Sequence, residues 1–183
     1  MPILGILASA GAVRNSYESI ATANASGSSN TISFTAIPAT YKHLQIRFIT
    51  RSTRSATSSN IFIGFNSDTT TGNYYGHMLE GNGSAVSAAA KIGTSTSFMS
   101  ATSAASNTSG IFSGGVIDIL DYANTNKYKT SRGLSGYDAN GSGLLYLASG
   151  LWMNTAAITS IEITDALGNF ATNSTFALYG IKG

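Results

Sequence analysis

Charge is what this sequence has least of. Asp, Glu, Lys and Arg make up 10% of its 183 residues, against about 25% in an ordinary soluble domain. Cysteine is absent, which excludes disulfides, thiolate nucleophiles and Cys-ligated zinc together. With only two histidines, few groups remain to act as acid, base or metal ligand, and no cofactor is expected. No run approaches the ~18 consecutive apolar residues of a membrane-spanning helix, so no membrane partner is expected either. The formal net charge of +2 is too weak a field to predict binding to nucleic acid.

What is present is a strand-former's composition. Hydrophobic residues make up 43%, enough for a full core, and low charge beside normal apolar content argues against disorder. The length fits one domain. Two-residue alternation recurs along the chain. Leu44, Ile46 and Phe48 alternate with His43, Gln45 and Arg47 in Lys42–Arg51, giving one dry and one wet face. Ile32 and Phe34 in Thr31–Ile37, and Ile61, Ile63 and Phe65 in Asn60–Asn66, repeat the pattern. Further strands are expected at Tyr74–Glu80, Gly115–Tyr122, Gly143–Ser149, Ala157–Thr164 and Ser174–Ile181, with weaker ones at Tyr17–Ala23 and Ser95–Ser100. The Ala- and Ser-rich stretch Gly81–Gly110 reads as a long loop or a short helix near Ala85–Lys91. Residues 1–16 read as an extended N-terminal arm, because Met1–Ala12 is apolar but lacks the basic start of an export signal. The expected fold is all-β: residues 17–183 as one two-sheet antiparallel sandwich, jelly-roll-like, of about 9–11 strands. Its core should hold Leu44, Ile46, Phe48, Ile61, Ile63, Phe65, Ile161, Ile163, Phe176 and Leu178.

The candidate chemical sites are few. No G-x-S-x-G turn is present to expose a nucleophilic serine. His43 lies in an alternating strand and His77 beside Tyr74 and Tyr75, places that suit a surface or hydrogen-bonded histidine. Asp138–Gly143 (DANGSG) is oxygen-rich, but lacks the terminal bidentate Glu of a calcium loop and reads as a turn. Asp118 and Asp121, three apart, point to opposite faces of an unbroken strand and cannot act as a carboxylate pair. Lys42, Arg47, Arg51 and Arg54 form a modest basic stripe, with Arg47 and Arg51 on one face. Without interleaved aromatics to stack bases, it suits contact with an acidic protein surface rather than nucleic acid. Tyr74, Tyr75, Tyr137, Tyr146 and Trp152 could form an aromatic platform for a glycan, or serve as core or subunit-interface anchors. No enzyme is expected.

Several segments carry a family likeness: MPILGILAS at the start, SYESIAT at Ser16–Thr22 and IPATYKHLQIR at Ile37–Arg47. They continue with FNSDTTTGNY at Phe65–Tyr74, IDILDYANTNKYKT at Ile117–Thr130, SGLWMNTAAITSI at Ser149–Ile161 and FALYGIKG at Phe176–Gly183. Together they resemble a family of small virion structural proteins of tailed bacteriophages, many infecting marine or freshwater bacteria. The resemblance covers most of the chain, least so Gly81–Gly110, and implies neither a catalytic residue nor a cofactor. It implies a protein made in the host cytoplasm that resides in the virion, with the major capsid protein or other virion proteins as partners. A capsid decoration (cement) protein is the leading expectation, and a receptor-binding tail fibre or baseplate tip reading host surface glycan is the alternative. A homo-oligomer, a trimer before a dimer, is expected because a sparsely charged surface favours subunit burial.

Overall fold

A computed structural model describes Ser16–Gly183; the expected N-terminal arm lies, but for Ser16, outside the described residues. The fold is all-β. Twelve strands run in chain order: β1 (Tyr17–Asn24), β2 (Thr31–Phe34), β3 (His43–Thr50), β4 (Ser58–Phe65), β5 (Tyr74–Gly81), β6 (Val86–Thr94), β7 (Ser97–Ser103), β8 (Ser113–Leu120), β9 (Lys129–Asp138), β10 (Gly143–Trp152), β11 (Ile161–Asp165) and β12 (Thr175–Ile181). They divide unequally between two antiparallel sheets. The larger has the order β1-β12-β3-β8-β9-β10-β5-β6 and the smaller β2-β11-β4-β7.

All ten residues expected in the core are buried. Alternation along β3, β4, β11 and β12 turns Leu44, Ile46, Phe48, Ile61, Ile63, Ile161, Ile163, Phe176 and Leu178 into the space between the sheets, where they join Ile117 and Ile119 of β8 in one cluster. Beneath β9 and β10 the interior changes character. Ser131, Gly133 and Ser135 of β9 and Ala148 and Gly150 of β10 present small side chains or none, and β7 lies on them, buried along its whole length. The glycines set this spacing. A Cβ on Gly133 would stand 2.7 Å from the Met99 carbonyl oxygen, and one on Gly150 would stand 3.2 Å from Ser97 Oγ, both on β7. Ser100 and Ser135 hydroxyls meet across the gap at 2.7 Å.

Two strands depart from expectation. Val86–Thr94 is β6, neither helix nor loop, because seven of its residues ladder onto β5. Lys129–Asp138 is β9, a central strand that alternation does not announce, since its inward row is Lys, Ser, Gly and Ser. The DANGSG segment is the β9–β10 hairpin turn. Asn140 and Gly141 take φ of 60° and 95°, the pair of left-handed residues that a two-residue turn needs to match strand twist. Asp138 Oδ1 accepts the Asn140 N–H at 2.7 Å.

Candidate interaction surface

The outward side chains of the large sheet fall into rows that cross it from edge to edge. One row runs Ala88, Leu79, Leu147, Leu134, Val116, Arg47, Ala177 and Thr22 from β6 to β1. Beside it runs a polar row of His77, Ser149, Arg132, Asp118, Gln45 and Tyr179. On the other side glycine interrupts the row: Gly81, Leu145, Gly136, Gly114 and Ile49. Leu79, Leu134, Leu147 and Leu145 are 48%, 48%, 52% and 60% exposed. A sandwich face turned to water normally carries polar side chains at such positions. Here four leucines from three adjacent strands stand together as one exposed apolar patch, a candidate for contact with another molecule.

The missing side chains give this face relief. Gly81, Gly114, Gly136 and Gly143 floor an open depression of about 690 Å³ walled by Val116, Leu134, Tyr137 and Leu145. A second depression of about 610 Å³ lies among His77, Leu79, Ala88, Arg132 and Leu147. Nothing within 4 Å would oppose a Cβ on Gly81 or Gly114, so these glycines leave a hollow on the outside. The inner glycines bring two sheets together.

The polar row is tied internally. Arg132 Nε donates to Asp118 Oδ2 at 3.0 Å and Gln45 Nε2 to Asp118 Oδ1 at 2.8 Å. Arg47 Nε donates to Gln45 at 2.8 Å, and its guanidinium lies 5.4 Å from the ring centres of both Tyr17 and Tyr179, a cation held between two π faces. The expected basic stripe is dispersed. β3 ends at Thr50, and Arg51 reaches instead to the carbonyls of Asn107, Thr108 and Ile111. Arg54 donates to the Ser58 carbonyl and Lys42 pairs with Asp121 at 3.0 Å.

Three of the five expected glycan-platform residues, Tyr74, Tyr146 and Trp152, are interior. Tyr74 and Trp152 are 0% and 1% exposed, stacked on each other and on Phe65. Their polar ends explain the burial. Tyr74 Oη accepts the Phe65 N–H at 2.9 Å, and Trp152 Nε1 donates to Asp68 Oδ2 at 2.8 Å. Burial pushes the Tyr74 hydroxyl up to about 12, with Asp68 and Glu162 adding to the effect. Tyr146 is buried against Phe98. Tyr75 and Tyr137 are half-buried and stand beside Leu151 and Leu144 of β10, roughly 23 Å apart along the strand. Tyr137 Oη donates to the Thr57 carbonyl at 3.2 Å.

The histidines are similarly placed. His43 Nδ1 accepts the Asp121 N–H at 2.9 Å, which leaves the neutral ring's proton on Nε2. The Asp121 carboxylate itself bonds Lys127 and Lys42, which bring its pKa down to about 2. It is a fixed anion at neutral pH. His77 is exposed and faces Ser149 across the β5–β10 ladder, a juxtaposition that register alone creates. No group of three or more His, Asp and Glu residues among the described residues is arranged to hold a metal ion.

No family model matches the chain, and no curated protein matches it. Among solved structures, a chain of the tripod (BppUct-A-L) from the baseplate of bacteriophage Tuc2009 is similar at 11% identity and a TM-score of 0.28. The match covers 90% of this chain and 64% of that one.

Proposed function

We propose that this protein is a non-enzymatic structural component of a bacteriophage virion, and that it acts as a capsid decoration protein. In this reading it stabilises the head shell by laying the outer face of its large sheet on neighbouring capsid subunits. The observation that carries the reading is the exposed leucine row, Leu79–Leu147–Leu134, with Leu145 beside it. Burying such a face gains about 25 cal/mol per Å² of apolar surface. The sequence resemblance to virion proteins supplies the setting. The absence of cysteine suits a protein that folds in a reducing cytoplasm and takes its later stability from packing and subunit contact. The most strongly held carboxylates, Asp68 and Asp121, are both engaged in structural bonds. That supports a role without catalysis. The interior position of Tyr74 and Trp152 favours the head over a glycan-reading tail tip.

The test is copy number. Band intensity in purified virions should place this chain within a few-fold of the major capsid protein, as symmetry-wide decoration requires. A ratio below about one to ten would move it to the tail, since tail symmetry offers only tens of sites. In the same particles Leu134→Lys should fold normally yet be incorporated at least about ten-fold less, because one desolvated charge is worth more than 1.4 kcal/mol.

A further inference from the structure

We propose that β6 joins two copies of this chain edge to edge, antiparallel, about a two-fold axis at Ala89. Four strands end the two sheets, and three of those edges are protected. β2 is only four residues long, β7 is buried throughout, and β1 is broken by a bulge between Ser19 and Ala21 and carries the Glu18–Lys182 ion pair. Bulges, short length, charge and cover are the usual means of blunting an edge. β6 has neither cover nor shortness, and its register shift against β5 begins only after Lys91. It is nine residues long, free of proline, and Lys91 is its one charge. Its first seven residues are exposed on both faces, with Val86 at 78% and Ile92 at 73%. Among the described residues, 86–92 make no hydrogen bond beyond the ladder to β5.

The sequence of this edge is complementary to itself. Register with β5 sets Val86, Ala88 and Ala90 on the outer face, beside Gly81, Leu79 and His77, and Ile92 follows them, exposed, where the register shift begins. An antiparallel pair centred on Ala89 brings Val86 opposite the second copy's Ile92 and Ala88 opposite its Ala90, so both pairs are apolar. On the inner face Lys91 meets Ser87. The two lysines then lie about 14 Å apart along the strands, too far to repel strongly across water. Shifting the centre to Ala88 or Ala90 loses the Val86–Ile92 match. A single strand pair is a small contact, at the low end for specific association. It is isologous, so it closes at two copies and gives a dimer.

The full chain at about 100 µM, well above the micromolar dissociation expected of such a contact, should sediment as a dimer. Ala89→Lys and Ala89→Glu each place like charges on the axis and should sediment as monomers with unchanged circular dichroism. Mixed one to one, they should recover the dimer. Because the chain has no cysteine of its own, single-cysteine variants report register directly. Ala89→Cys should form a disulfide dimer at least about ten-fold faster than Ser87→Cys or Lys91→Cys, whose partners lie beyond bonding reach. A monomeric wild type, an oligomer that survives Ala89→Lys, a mixture that stays monomeric, or a cross-linking maximum elsewhere would each overturn the proposal. The contact does not depend on where in a particle the protein sits.

Discussion

Asp68 ties the aromatic core to the loop that precedes β5. Burial works against its negative charge, but the Thr70 N–H, the Asn73 amide and the Trp152 indole all donate to it, and together they hold its pKa well below the ordinary carboxylate range. A depressed folded-state pKa means the unfolded chain binds the proton more readily. The stabilisation is therefore complete above the unfolded value near pH 4 and drains away as pH falls below it. Asp121, brought down to about 2 by Lys127 and Lys42, adds to the same loss. Asp68→Asn should cost about 2 kcal/mol at pH 7, since an amide oxygen accepts less strongly and its NH2 faces donors. The variant should also flatten the fall in stability between about pH 4 and pH 2. Denaturant titrations followed through Trp152, the one tryptophan, check both. Lys129 is a second such residue. Its buried ammonium donates to the carbonyls of Asn124, Lys127 and Thr155, while burial and nearby Lys127 lower its pKa. Lys129→Met should leave three carbonyls without that donor and cost about 2–3 kcal/mol, read as a lower denaturation midpoint.

At the scale of elements, glycine does two opposite jobs that substitution can separate. Gly133→Ala drives a methyl into the Met99 carbonyl, a backbone atom that cannot swing away, and should cost about 1–3 kcal/mol. Gly114→Ala meets nothing within 4 Å and should be neutral or slightly stabilising; thermal unfolding of the pair makes the comparison. The strands bordering the main core were legible in the sequence because Leu44, Ile46 and Phe48, or Ile61, Ile63 and Phe65, repeat at a spacing only one side of a sheet can explain. β9 was not, because it faces β7 with Ser131, Gly133 and Ser135 and puts Leu134 in water. That inverts the pattern a reader looks for. β6 was illegible for a different reason: exposed on both faces, it has no dry side to encode. The interaction surface suffered most, since Leu79, Leu134 and Leu147 are 13 or more residues apart in sequence and meet only through register. Sequence alone left Trp152 between a glycan platform and a core or interface anchor, because its partner Asp68 lies 84 residues away.

For the whole molecule, polarity is partly turned inside out: hydroxyls such as Ser100, Thr102, Ser113 and Ser135 are buried while leucines stand on the large sheet. These four hydroxyls find partners, as Thr102 does at the Thr50 carbonyl and Ser113 at the Ser103 N–H, so the sandwich closes without a fully apolar filling. A protein built this way should be stable alone yet prone to self-association. Leu147→Lys and Leu134→Lys should raise solubility while changing unfolding midpoints by less than about 0.5 kcal/mol; precipitation against salt and thermal scans measure the two effects. The pairing of the outermost strands carries one more consequence. β1 bonds to β12 and β2 to β11, so β1 and β2 are synthesised long before the strands they pair with. Closing such loops is slow. A nascent chain arrested before Thr175 should stay open to protease along Tyr17–Asn24, because β1 has no partner until β12 is made. Chaperones then become the natural guardians of an unfinished sheet.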